Sequence, residues 1–197
     1  MNARLSIVAV CAGVVITTAC AGNPVVDQQA TPLSPPTTTT TSEVPGSDPV
    51  AWFEAYCGPM GVTEVARHEI QGKAAEGGEA VKAAVVSWAS TAAASDRKMA
   101  DDLEKLGPMN SDVSNPHERL IKALRRETKR FDEASTRLRA LAADDKFPER
   151  YQQVMATSGA DEDVQAMFKQ IVAIPKYNGV FRANKVCADW QGLARGK

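Results

Sequence analysis

The sequence predicts an all-α fold, an antiparallel bundle of four to five main helices behind a disordered N-terminal tether. Three observations carry this. Alanine is abundant while Val, Ile, Phe and Tyr are spread thinly, which favours helix over sheet. Apolar residues recur at spacings of three and four over long stretches, and no alternating strand pattern of useful length occurs. Proline and glycine punctuate those stretches where short connections are needed.

The chain divides into residues 1–19, 20–47 and 48–197. In the first part Arg4 is the only charge ahead of an apolar run from Leu5 to Ile16, of signal-peptide length. Thr17-Thr18-Ala19 then places small residues before Cys20. This arrangement resembles the lipobox of bacterial lipoproteins. The resemblance implies a diacylglycerol on the Cys20 sulfur, cleavage after Ala19 and anchorage on the outer face of the cell membrane. Two other readings remain: Ala19-Cys20-Ala21 also fits ordinary signal peptidase and a secreted product, and the uncharged run to Gly22 approaches the length of a membrane span. The Thr/Pro tether with high Ala and Arg content is similar in style to lipoproteins of GC-rich Gram-positive bacteria.

Residues 21–47 hold five prolines, the run Thr37 to Thr41 and only Asp27 and Glu43 as charges. Too little apolar area is present to offset ordering entropy, so a semi-extended tether is expected, with O-glycosylation permitted by its composition.

The folded part begins at Asp48-Pro49, a cap followed by proline at the first helical position. Trp52 and Tyr56 share a face beside Cys57, and Gly58-Pro59-Met60-Gly61 is expected to break or kink that helix before Val62 to Ile70 resumes it. Glu79 to Leu106 carries one apolar stripe through Val81, Val85, Trp88, Ala92, Ser95, Met99 and Leu103, stopped by Gly107-Pro108. Asn115-Pro116 opens the next helix, lined by Leu120, Leu124, Phe131, Leu138 and Leu141 up to Ala143. Phe147-Pro148 opens a shorter one closed by Gly159, and Asp161-Glu162-Asp163 starts another with acids at its N-terminal dipole, ended by Pro175. Asn178-Gly179 reads as a turn, and Val180 to Trp190 as a last helix carrying Cys187.

Of four cysteines, Cys11 leaves with the leader and Cys20 is lipidated or removed, so Cys57 and Cys187 are left. In an exported protein such a pair is expected to form a disulfide, riveting first helix to last among Trp52, Tyr56 and Trp190; two buried free thiols are the alternative.

The full chain has 23 Lys+Arg against 24 Asp+Glu. Without residues 1–19, of which Arg4 alone is charged, the balance is 22 against 24, a net of −2. Near-neutrality argues against a nucleic-acid partner. No Gly-x-Ser-x-Gly occurs, His68 and His117 read as surface histidines beside Glu69 and Glu118, and Cys57 lacks a Cys-x-x-Cys partner. Glu64 and His68 are four apart but lack two further metal ligands, and Gly77-Gly78 lacks the Lys-Ser/Thr of a phosphate loop. No catalytic residue, metal ligand or cofactor site is therefore assigned.

Two binding features remain. Arg119, Lys122, Arg126, Lys129, Arg130 and Arg137 fall within about a 100° arc opposite the leucines. They form either a docking patch for an anionic envelope partner or a solvated face neutralised by Glu127, Asp132 and Glu133, and the second is preferred. Met99, Met155 and Met167 with Trp88, Phe131 and Phe168 read first as core and second as the lining of a pocket. The expectation is a lipid-anchored, non-enzymatic surface protein that binds a protein or envelope partner. The alternative is a carrier of an apolar ligand, a lipid or a haem, favoured if a deep apolar pocket above about 300 Å³ opens between helices.

Overall fold

A computed structural model describes residues 46–156 and 160–196. The leader, Cys20 and the tether up to residue 45 lie outside the described residues. Within them the fold is all-α: seven α-helices, three long and four short, and no strand. No described helix is long and apolar enough to cross a membrane.

Helix α1 spans Pro49–Gly72, with the Asp48 carboxylate accepting from the Val50 N–H at 3.1 Å. That cap satisfies one of the orphan donors of the first turn. The expected break at Gly58–Gly61 does not occur, and α1 runs through Pro59. Proline deletes one rung of the hydrogen-bond ladder. Here both sides of the lesion are held by packing: Pro59 is buried, and Cys57 is tied to Cys187. The Pro59 carbonyl accepts from the Thr63 hydroxyl, one turn on, at 3.2 Å.

Helices α2 (Gly78–Leu106) and α3 (Ser114–Ala140) are the long spine. Cross-contacts at Ser90–Ser135, Arg97–Asp132 and Arg125–Glu104 fall in descending α3 order as α2 ascends, so the two are antiparallel. Helix α2 ends at Gly107, whose φ of +75° is left-handed and suits glycine. It begins at Gly78, where a Cβ would lie 2.6 Å from the Ala143 carbonyl, so the connection that follows α3 closes on it only because no side chain intervenes. The N-terminus of α1 meets the C-terminus of α2 through Ser47, whose N–H and hydroxyl donate to the carbonyls of Pro108 and Gly107.

Four short helices complete the molecule: α4 (Phe147–Met155), α5 (Ala160–Val172), α6 (Pro175–Ala183) and α7 (Lys185–Ala194). Pro175 opens α6 as its first residue, and the expected turn at Asn178-Gly179 is inside that helix. The Asn178 amide donates instead to the Val172 carbonyl at 2.9 Å, capping the end of α5. The predicted last helix is thus two, α6 and α7, separated at Asn184, which caps α7 by accepting from the Cys187 N–H at 3.2 Å. Helix α7 runs alongside α1 in the same direction, with Cys57 against Cys187, Gly61 against Trp190 and His68 against Leu193.

The core is two clusters rather than one. The first gathers Trp52, Phe53, Tyr56, Leu103, Leu124 and Ile171 around the disulfide, from α1, α2, α3, α5, α6 and α7. The second gathers Val85, Ala89, Phe131, Leu138 and Phe147 where α2, α3 and α4 meet. Where α2 and α3 pass from one to the other, Ser95, Asp96, Glu127 and Thr128 are buried.

Candidate ligand cleft

The seam between the two clusters is open. A cleft of about 740 Å³ lies there, lined by residues of all seven helices. That is within the range of roughly 300–1,000 Å³ typical of small-molecule sites. Tyr56, Phe168 and Trp190 come from the disulfide-bearing cluster; the Tyr56 and Phe168 rings stack at 4.0 Å, and Trp190 meets them edge-on at 5.9 and 6.1 Å. Opposite, Trp88 and Phe131 meet edge-on at 5.6 Å, with Met155 beside them on the lining. Of the six Met and aromatic residues singled out from sequence, these place Trp88, Phe131, Met155 and Phe168 in the cleft, while Met99 and Met167 are core.

The polar lining comes from the seam residues. Asp96 and Glu127 are 7% and 4% exposed. Glu127 pairs with Arg130 through one oxygen, and its Oε2 has no hydrogen-bond partner among the described residues. Arg130 lies with its guanidinium carbon 4.3 Å from the Phe131 ring centre, and its Nε is buried without a partner among the described residues. Trp88 and Trp190 line the cleft, and their buried indole N–H groups have no acceptor among the described residues. Unsatisfied buried groups cost about 1–3 kcal/mol each and are uncommon in native interiors. Among the described residues most of them are on residues that line this cleft. At the rim Arg67 and Glu64 pair at 2.6 Å.

The basic face of α3 is only partly what its spacing suggests. Arg119, Lys122, Arg126, Lys129 and Arg137 are exposed. Arg126 pairs with Asp163 at 2.6 Å and Lys129 approaches Glu133 at 3.9 Å. Arg130 turns inward, because it stands at the edge of the arc, three residues after the buried Glu127.

The histidines also differ from their surface reading. His117 is 3% exposed, and its Nδ1 accepts from the Trp52 indole N–H at 3.1 Å, fixing the proton of the neutral ring on Nε2. Burial pushes its pKa below the ordinary value, the charge of Glu118 opposing. His68 donates from Nε2 to the Leu193 carbonyl at 2.8 Å, joining α1 to α7. On α6, Tyr177 and Lys176 both bond Asp112, which holds that carboxyl below its usual range mainly through the lysine.

The disulfide joins Cys57 to Cys187, with Cα atoms 5.0 Å apart. It closes 130 residues of sequence, a length for which cross-linking stabilises by about 2–4 kcal/mol. Among the described residues no group of three or more His, Cys, Asp or Glu is placed to hold a metal ion.

Asp96 and Glu127 are what sequence reasoning missed. Both were readable: Asp96 is four after Ala92 and three before Met99, and Glu127 is three after Leu124 and four before Phe131. Each acid is in register with an apolar stripe, where a solvated role does not account for it. No family model matches the sequence, and no curated protein or solved structure matches it at a significant level.

Proposed function

We propose that this chain is a non-enzymatic binding protein of the cell envelope, which holds an apolar small molecule in the cleft between its two core clusters. The observation that carries this is the aromatic-lined space of about 740 Å³ at the seam, more than twice the volume set as the threshold for a carrier. A domain of this size normally closes its interior to crystal-like density. Here the two clusters are finished separately and the space between them is left lined with rings and unused donors.

The leader supports attachment through Cys20, and a disulfide fits export to an oxidising compartment. An acylated anchor would hold the domain at the outer membrane face, where apolar ligands partition. A Cys20→Ser variant is expected to leave the membrane fraction for the medium, and unchanged membrane association would refute the anchor.

Binding is tested with N-phenyl-1-naphthylamine, whose emission rises in apolar surroundings. The expected result is saturable enhancement by the wild-type domain and its loss in Thr63→Trp, which fills the cleft from α1. Equal enhancement by both proteins, with equal melting temperatures, would remove the site from the cleft.

A further inference from the structure

The lining is balanced in charge and unbalanced in hydrogen bonding. It holds three acids, Glu64, Asp96 and Glu127, and three bases, Arg67, Arg130 and Lys169. Glu64 pairs with Arg67, Glu127 pairs with Arg130, and Asp96 has a partner of its own, so no carboxylate is left over for a cation. Lys169 is exposed, where water screens it. An ion of either sign would lose hydration here without gaining a buried counter-charge, which is costly. Asp96 aside, the polar atoms on the lining residues that are buried without a partner among the described residues are three donors and one acceptor: the indole N–H groups of Trp88 and Trp190, Arg130 Nε and Glu127 Oε2. The last two belong to one ion pair, one donor and one acceptor, and leave no surplus. The indoles are the surplus, and an indole N–H donates without accepting. Neither nitrogen is open to water, so each forfeits a bond it has in the unfolded chain. What meets them is an oxygen that accepts while bringing neither a donor nor a charge.

We propose that the occupant is a neutral carbonyl compound, a ketone or ester on an apolar body, whose oxygen accepts from the indole N–H groups of Trp88 and Trp190 while the body lies against Tyr56, Phe131 and Phe168. This rests on the cleft being the ligand site and adds the chemical class of what enters it. Met60 and Met155 are on the lining, and such unbranched, soft side chains give way as the oxygen reaches the covered nitrogens. Fatty acids and amines of the same length are rejected by the same lining, because their heads bring a charge that nothing buried there answers.

The test is displacement of N-phenyl-1-naphthylamine from the full chain, at neutral pH, by 2-decanone, decylammonium and decanoate, whose chains match in length. The ketone is expected to displace the probe at a concentration about tenfold below that of either ion. The hydrogen bond is tested separately in Trp88→Phe/Trp190→Phe, which keeps an aromatic ring at each position and removes both donors. Affinity for 2-decanone is expected to fall about tenfold there, while the probe, which carries no oxygen, stays within about twofold. In the unmodified protein, 2-decanone is expected to move the indole proton resonances of Trp88 and Trp190 downfield, a readout that stands even if the double variant folds poorly. An ion that displaces the probe better than the ketone, no displacement by the ketone, indole protons that do not move downfield, or equal weakening of ketone and probe in the folded variant overturns the carbonyl proposal and leaves the cleft reading standing. Absence of saturable probe binding overturns both.

Discussion

Replacing Glu127 and Arg130 together by leucine is expected to stabilise the domain while damaging its site. The two side chains are 5% and 19% exposed, and each retains one buried polar atom without a partner, Oε2 and Nε. Two such orphans cost about 2–6 kcal/mol, against about 1.5–3 kcal/mol returned by the charged contact between them. Leucines would add apolar burial of up to about 1.5–3 kcal/mol each, discounted because both positions border an open cleft. The net is a gain of about 1–3 kcal/mol, in line with other buried ion pairs exchanged for apolar groups. For about 150 folded residues that is a rise in Tm of roughly 3–9 °C. Urea unfolding followed by circular dichroism reads it directly. The single Glu127→Leu variant is expected to lose about 1–3 kcal/mol, because it strands the guanidinium. A double variant less stable than wild type by more than about 1 kcal/mol would show the pair to be structural, and the argument that the seam is kept polar for binding would fail.

Removing the disulfide as Cys57→Ala/Cys187→Ala is expected to lower unfolding free energy by about 2–4 kcal/mol with the helical spectrum retained, a loss that reductant reproduces in the wild type. As pH falls through about 6.5 the unfolded chain takes up a proton that buried His117 resists, its folded pKa being depressed by burial. Stability is therefore complete above pH 6.5 and falls below it, by at most about 1.4 kcal/mol per pH unit until the folded pKa is passed; urea midpoints across that range are expected to flatten in His117→Gln. Pro59→Ala restores a donor in the interior of α1 and removes a ring from the core; the regained ladder bond is expected to win by about 1 kcal/mol, and a lower urea midpoint would show that the ring's packing matters more.

Much of the fold was readable because α2 and α3 carry long, one-sided stripes, and Asp48-Pro49 states a helix start in two residues. What the sequence misplaced was decided at longer range. Gly58-Pro59 has the local chemistry of a break, but Cys57 and the packing of α7 hold the chain on either side of it. Asn178-Gly179 has the chemistry of a turn, yet the Asn178 amide finds a helical use on the Val172 carbonyl. His117 lies among polar neighbours in sequence, and its burial depends on Trp52, 65 positions away. The cleft was half visible: its rings and Met155 were noticed and judged core, a fair inference from residues that prefer interiors. The decisive signal was the pair of acids inside the stripes, Asp96 and Glu127. Their positions could be read, but which of Arg130, Arg126 and Lys129 turned toward them could not, since long side chains choose partners only once the helices have packed.

The central claim is that a ligand enters between the two clusters, and the three tryptophans report on it individually. Trp88 and Trp190 line the cleft and their buried indole N–H groups have no acceptor among the described residues, whereas Trp52 is not on the lining and its indole N–H is bonded to His117. In the two-dimensional spectrum of ¹⁵N-labelled protein, titration with N-phenyl-1-naphthylamine is expected to move the Trp88 and Trp190 indole resonances together, on one saturable curve, and to leave that of Trp52 in place. Resonances of Trp88 and Trp190 that stay fixed while N-phenyl-1-naphthylamine binds elsewhere, or a shift confined to Trp52, would contradict the account.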